Sequence, residues 1–476
     1  MRKGEISVQN DIYTAELMEK NSIRKLIFRL GIPAMFGQFF NLLYSIVDRI
    51  FVGQIPGTGE TALASIGICA PALTAVTAFA YMVGIGGASC MSISLGQKNQ
   101  ERAKQTLGSA VTLLLGISVL LTVILLLIRK PLLYTMGCSD VMYPYAETYF
   151  TIYILGTIAS LLGVGLNQFL LAQGFSKQGM VSVMIGALVN VILDPILIFG
   201  CGMGIAGAAA ATVFSQCCMA VYVIWQLCGD KIPVRLKFDN INLKLWRQII
   251  SIGSMSFLIT ILDNLIIILL NMALRRYGGP VRGDQLITCA TIIQSFMTIV
   301  FCPAQGIASG CGTIFSYHYG ARHYEKILHG LIGVFLLCGV YIGLLQIAVQ
   351  AFPEVFVRMF LKDDSLCQLA FSSIRMYTMA LLGVAVQYAL VDGLTAMGKI
   401  RFAFPMSVFR KIVYIICIFA LPYIADIRFI FYAGTISDAI GALFSIVSFI
   451  CIANPGLKKE LKGSGWKKSR EDEVLG

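Results

Sequence analysis

The chain is a succession of long apolar runs separated by short polar breaks, and no other property limits its fold as severely. Twelve runs of about 20 residues or more can be drawn, each long enough to cross a hydrocarbon layer as a helix. They are residues 27–53, 61–92, 104–128, 145–172, 178–200, 204–228, 246–274, 286–317, 328–352, 368–397, 402–425 and 429–452. Apolar residues make up 57% of the 476-residue chain and charged residues 13%, with 46 glycines and a mean hydropathy of +0.79, more apolar sequence than a soluble core can bury. A membrane β-barrel would show alternating segments of about ten residues instead. The expected fold is an all-α integral membrane protein with twelve transmembrane helices.

Residues 1–26 are polar with scattered acids and read as a cytoplasmic leader rather than a signal peptide. With that terminus inside, most of the 37 Lys and Arg fall on the cytoplasmic side, which puts both termini there. Arg275, Arg276 and Arg282 on one outer loop run against this trend. The +12 net charge is then a feature facing anionic lipid, and the basic tail 454–476 carries no argument for nucleic acid. The 14 cysteines show no C-x-x-C framework and read as small buried residues. His318, His323 and His329 flank one cytoplasmic loop and read as solvated or snorkelling. "GIGGAS" at 84–89 lies inside a span, where close helix packing is a better account than phosphate binding.

The chain repeats itself. "SLGQKNQERAKQTLG" (94–108) matches "HYGARHYEKILHG" (318–330), and "LLAQGFSK" (170–177) matches "LTAMGKIR" (394–401). One constant shift serves both matches, carrying Gly96 onto Gly320 and Gly174 onto Gly398. Six spans are followed by six more, entering from the same side, so two six-helix lobes are expected about a pseudo-two-fold axis along the membrane normal. The boundaries are 27–228 for the N-terminal lobe, 229–245 for a cytoplasmic linker and 246–453 for the C-terminal lobe. A cavity is expected between the lobes.

"LVNVILDPIL" (188–197) places Asn190 and Asp194 on one face of the fifth span. A carboxylate at the bilayer centre costs roughly 2.5–3.5 kcal/mol even on lenient scales, so it needs a partner, water or a task. Counting from the outer breaks at about 1.5 Å per residue, Asp194, Asp48 and Thr212 lie at one depth, roughly 8–12 Å below the outer surface. Gln38, Asn41, Tyr44, Ser45 and Asp48 form a polar stripe on the first span. Two carboxylates placed together disfavour full ionisation unless a cation or proton is shared, and oxygen-only ligands suit a hard monovalent cation.

"NLLYSIVDRIFVG" followed by "GALVNVILDPILIFGCGMGIAGAAAATVFSQ" resembles the MATE family of multidrug and toxic compound extrusion transporters. "GKIRFAFPMSVFRKIVYIICIFALP" is similar to its MepA-like branch. The resemblance covers roughly residues 22–453. It implies a Na+ or H+ site at Asp48, Asn190, Asp194, Ala208 and Thr212, and a bend of the first helix at Pro33 when that site is protonated. It implies export of small organic cations or other drugs from the bacterial cytoplasmic membrane, by a chain expected to be monomeric and to need no cofactor besides the coupling ion.

In the second lobe Ile418 and Tyr414 stand at the repeat positions of Asp194 and Asn190, so a duplicate cation site is not expected. That lobe has its own acids, Asp263 beside Asn264, Asp392 and Asp438. Arg410 and Lys411 are expected to neutralise Asp392 or Asp438. Gln38, Asn41, Tyr44, Asp263, Asn264, Met297 and Asp392 are candidates for the substrate cavity, with Phe296 and Phe301 as further lining. A flippase for lipid-linked or other amphipathic metabolites would need several basic cavity residues, and only Arg410, Lys411 and Arg375 qualify. No span-core histidine, H-E-x-x-H or G-x-S-x-G supports an intramembrane enzyme.

Overall fold

In the computed structural model, residues 17–462 are described, apart from 137, 231, 237–241, 360–363 and 425. Most of the leader and of the basic tail lie outside the described residues, as does part of the linker. The first lobe contains α1 (Ile23–Gly53), α2 (Gly59–Gly96), α3 (Gln100–Thr135), α4 (Tyr143–Leu155), α5 (Thr157–Ala172), α6 (Ser176–Pro195) and α7 (Ile205–Cys228). The second contains α8 (Lys244–Gly320), α9 (Tyr324–Ala351), α10 (Pro353–Val357), α11 (Asp364–Thr378), α12 (Gly383–Ala396), α13 (Ile400–Ile424), α14 (Tyr432–Ser448) and α15 (Asn454–Lys462). Helix α8 is two arms joined at Gly279, whose φ of 69° is open to glycine without strain.

Among the described residues ten helices are long and apolar enough to span a membrane, and two bent pairs bring the number to twelve if each crosses as one span. The bent pairs correct the sequence reading. The fourth span turns by 54° between α4 and α5, and the tenth by 47° between α11 and α12. At the first of these bends, Val213 of α7 fills the space where Gly156 has no side chain. Hydropathy cannot show such a bend, because both limbs stay apolar.

The repeat recurs in individual hydrogen bonds. Ser92 Oγ donates to the Ala172 carbonyl at 3.0 Å and Ser316 Oγ to the Ala396 carbonyl at 2.8 Å, each bond being the other carried across by the repeat. Helices α2 and α5 end in turns closed by Asn99 N–H to Ser94 O (2.9 Å) and Phe175 N–H to Leu170 O (3.0 Å). Their counterparts are His323 N–H to His318 O and Lys399 N–H to Leu394 O, both 2.8 Å. All four have the left-handed residue of a Schellman cap, at Lys98, Gly174, Arg322 and Gly398.

The lobes meet in the half of the molecule that carries these four turns. A Cβ on Gly96 would collide with the Tyr317 carbonyl, and one on Gly320 with the Ile93 carbonyl; the repeat exchanges these two collisions, as a two-fold axis between them requires. Deeper along α2, Gly86 and Gly253 bring α2 and the first arm of α8 into backbone contact, the packing expected of the 84–89 glycines. Phe79 and Phe257 pack above them with centroids 4.7 Å apart. There are two apolar cores, and each takes residues from the other lobe: Leu245, Ile249 and Ile252 of α8 join the first, and Leu26, Ile27 and Leu30 of α1 join the second.

Two surface readings are corrected. Leu17 and Met18, counted with the solvated leader, are buried in the second lobe's core. His318 is fully buried, with Nδ1 3.3 Å from His323 Nδ1, and is neither solvated nor snorkelling. Arg282, against the charge trend on its loop, is held at 2.9 Å by both oxygens of Asp426. The Arg428 backbone N–H, with this guanidinium, keeps the Asp426 carboxyl below the usual carboxylate range.

Candidate functional site

Helix α1 carries its polar stripe on a run interrupted by one proline, Pro33, which leaves the helix continuous from Ile23 to Gly53. Helix α6 packs along α1 and ends at Pro195, beyond which the chain loosens into a π-helical turn, Ile196–Gly200. Asp48 and Asp194 lie on these two helices, their carboxylates close enough for each to act on the other. Asn190, one turn before Asp194, donates from Nδ2 to Asp194 Oδ1 at 3.3 Å. Asn190 and Asp194 are fully buried and Asp48 is 8% exposed.

Three buried oxygens in this cluster, Asp48 Oδ1, Asn190 Oδ1 and Asp194 Oδ2, accept no hydrogen bond from the protein. Buried oxygens are rarely left so, and their joint presence fits a site that receives a small cation or proton. Thr212 and Ala208 are buried on α7, but Thr212 Oγ1 donates back to the Ala208 carbonyl at 3.0 Å. The structure thus joins Asp48, Asn190 and Asp194, while the hydrogen bonds of Thr212 and Ala208 stay within α7.

Tyr44, one turn from Asp48, opens onto a cavity that Gln38 and Asn41 also line, together with Tyr81, Asn167, Gln168 and Gln216. Its lining residues all come from the first lobe, so this cavity lies within that lobe rather than on the boundary expected from sequence. Gln168 borders both places, because its Oε1 accepts from Ser309 Oγ of the second lobe at 2.9 Å. Spacing gave no sign of Tyr81, Asn167 or Gln168, which reach the cavity only through helix packing. Tyr149 and Tyr153 stack at 6.3 Å on α4, and Tyr153 Oη accepts from Nε2 of the lining residue Gln216 at 3.2 Å.

The second lobe pairs its charges differently from expectation. Arg410 NH1 lies 2.8 Å from Asp438 Oδ1, as one reading had it. Lys411, expected to neutralise Asp392 or Asp438, instead forms an ion pair with Asp263 and donates to the Ile259 carbonyl at 3.2 Å. Asp263 is half exposed and Lys411 is buried. Asn264 donates to the Thr260 carbonyl at 2.9 Å. Asp392 stands at the repeat position of Gln168. Met297, expected as cavity lining, is buried in the second lobe's core, and Phe296 packs edge-on against Phe356 at 5.3 Å; core packing accounts for both. Tyr414 and Ile418 are buried where a second cation site would stand.

These features define a two-lobed, multi-pass membrane protein in which, among the described residues, an acidic pair is buried in the first lobe only. The MatE family model matches residues 33–196 and 260–420, one stretch in each lobe, and the chain belongs to that family. It is similar to "Multidrug export protein MepA" of Staphylococcus aureus (strain MRSA252), 23% identical over 433 residues, covering 90% of this chain and 94% of the relative. The protein of the same name from Staphylococcus haemolyticus (strain JCSC1435) is 22% identical over 441 residues, covering 92% and 95%. Among solved structures, an outward-facing multidrug resistance MATE family transporter of the MOP superfamily superposes with a TM-score of 0.86 at 19% identity, covering 93% of this chain and 98% of the other. A MOP superfamily transporter from Pyrococcus furiosus, described as having a binding pocket of reversed polarity, gives 0.86 at 20%, covering 94% and 98%. These likenesses extend to the fold.

Proposed function

We propose that the protein is an antiporter that exports organic, cationic and amphipathic drugs in exchange for Na+ or H+, by alternating access between its two lobes. The observation that carries the reading is the Asp48–Asp194–Asn190 cluster, three unsatisfied oxygens buried together in the first lobe. Two apposed carboxylates hold a single proton or cation far better than two free negative charges, which makes the pair a loading site rather than a fixed strut. Relatives named as multidrug export proteins over nearly their whole length support the cargo class.

Access to the site alternates as the lobes rock about their pseudo-two-fold axis. In the present arrangement the lobes touch through the glycine-backed half that carries the turns at 96–100 and 320–324. With both termini in the cytoplasm of a bacterial cell, that half is the inner one, and the cavity beside Asp48 is reached from outside. Loading the acidic pair weakens the hold on drug, and Pro33 lets α1 move as the pair is loaded. The protein acts as a monomer in the cytoplasmic membrane, needs no cofactor beyond its coupling ion and performs no covalent chemistry.

The flippase reading draws less support, since its three basic residues are engaged: Arg410 by Asp438, Lys411 by Asp263, and Arg375 by the Gln350 carbonyl at 3.0 Å. The test is uptake and counterflow of labelled ethidium in proteoliposomes under separately imposed Na+ and pH gradients. Accumulation driven by either gradient is the expected result. Flux that only equilibrates ethidium, whatever the gradient, would remove the antiport reading.

A further inference from the structure

The chain ahead of α1 does not trail away from the lobes. Met18 is fully buried in the second lobe's core, and Glu19 is held there twice. Its side chain accepts from Tyr317 Oη at 3.2 Å and its carbonyl accepts from Lys326 Nζ at 3.3 Å. Asn21 Nδ2 donates back to the Leu17 carbonyl at 2.9 Å and fixes the turn between them. Leu17 itself, 4% exposed, reaches the other lobe: its Cδ2 lies 2.6 Å from where a Cβ would stand on Gly174, in the turn between α5 and α6.

The repeat makes this contact informative. The counterpart of Gly174 is Gly398, and it is covered by Ile252 of α8, at 3.3 Å from Cδ1. Carried across by the repeat, Ile252 becomes Phe28 of α1, which is 60% exposed. One lobe's turn is therefore covered by a helix residue and the other's by the incoming chain. The substitution is possible only because Gly174, with φ of 86°, presents no side chain.

The geometry points to a strap. Segment Leu17–Asn21 is anchored on the second lobe by Met18, Tyr317 and Lys326, closes over the first lobe by seating Leu17 against Gly174, and holds shut the half of the molecule where the lobes touch. When that half opens, the Met18 and Leu17 contacts cannot both persist, because they belong to different lobes. The contact that releases is the one between Leu17 and Gly174, since Leu17 shares the second lobe's core with Met18 while Gly174 belongs to the first lobe. The strap biases the molecule toward the state closed on that side, in which the Asp48 cavity opens the other way.

Hydrogen exchange of the full chain in lipid nanodiscs, without substrate, tests this. The amides followed are those of the closed-face turns, Gln97–Asn99 and Ala321–His323. Leu17→Glu, which cannot seat on Gly174, should raise exchange at both turns roughly tenfold while the interiors of α5 and α12 keep their protection. Tyr317→Phe, which removes one anchor bond, should give a smaller rise at the same amides. Unchanged exchange at the turns in Leu17→Glu would overturn the strap, as would a rise confined to residues 17–22. A rise through the whole second lobe would also overturn it, by making the segment part of that lobe's fold. The inference leans on the alternating-access reading only for its consequence in transport; the exchange readout needs no transport, so either can fail alone.

Discussion

Lys98 and Arg322 occupy equivalent positions in the two lobes and hold the same backbone state, φ of 61° and 60°, the two non-glycine residues in the left-handed region among those described. Each occupies the position after a helix where a Schellman cap ordinarily has glycine, while the matching turns after α5 and α12 do use glycine, at 174 and 398.

A side chain in that conformation costs about 1 kcal/mol, so Lys98→Gly and Arg322→Gly should each stabilise the protein by roughly that amount. The two turns meet across the lobe boundary, where Gly96 backs onto Tyr317 and Ala321, so the double variant should depart from the sum of the two gains. Thermal unfolding in detergent would show each gain as an increment in Tm; a fall in Tm for either variant would mean that the basic side chain contributes more than the strain it carries.

Asp48→Asn and Asp194→Asn keep the shape of the cluster and remove a charge. Each should abolish gradient-driven efflux, with a drop in Tm of no more than a few degrees. Concentrative uptake surviving in either variant would move the coupling site elsewhere, with Asp392 the next candidate.

Loading the acidic pair and binding drug should oppose each other, and linkage makes the opposition mutual, typically worth about 1–3 kcal/mol. Drug affinity in detergent should therefore fall as pH drops from 8 to 5.5 or as Na+ rises, and Asp194→Asn should flatten both dependences. Titration calorimetry at four combinations of pH and Na+ is sufficient; equal affinities in the unmutated protein would make the pair structural.

Pro33→Ala returns a backbone N–H to α1 and with it the means to complete the helical ladder at that turn. The stiffer helix should slow turnover several-fold while drug affinity changes by less than about twofold, since the cavity residues Gln38, Asn41 and Tyr44 stay in place. An unaltered rate would show that α1 does not bend in the cycle.

The Lys411–Asp263 pair is lopsided in its burial, side chains 3% and 51% exposed. Asp263→Asn leaves a buried ammonium without its partner, at a cost of about 3–5 kcal/mol, whereas Lys411→Met leaves a carboxylate that water can reach. The first variant should unfold at a clearly lower temperature than the second. Equal losses would show that the carboxylate is desolvated in the membrane.

The parts of the fold that sequence disclosed are those with a local signature. Span length, the order of twelve runs and the internal repeat follow from hydropathy and from turn residues that recur with their roles intact. The Asn190–Asp194 pair was visible because four residues is one helical turn, and Asp48 because it shares their depth. What stayed hidden depends on partners distant along the chain. Lys411 chose Asp263, 148 residues away, over Asp438, and no spacing rule selects between them. His318 was misplaced because hydropathy dates the end of a helix too early, and Leu17 and Met18 because two apolar residues in a polar run look incidental. The resemblance to the family marked Ala208 and Thr212 as well, yet their hydrogen bonds stay on α7 in this arrangement.

The reciprocal contacts at Gly96 and Gly320 also bear on how the protein is made. Each half supplies the backbone ridge that fills the other's groove, like a homodimer interface written into one polypeptide. The ribosome delivers the halves in order, so Gly96 enters the membrane long before Gly320 exists. At about 5–20 residues per second the first lobe waits roughly 10–45 s in the membrane with its glycine groove open. During that interval the surface best shaped to fill it belongs to the second half of another copy. Crowded polysomes should therefore favour exchanged dimers, and slower initiation, which spaces the nascent chains apart, should favour self-completion.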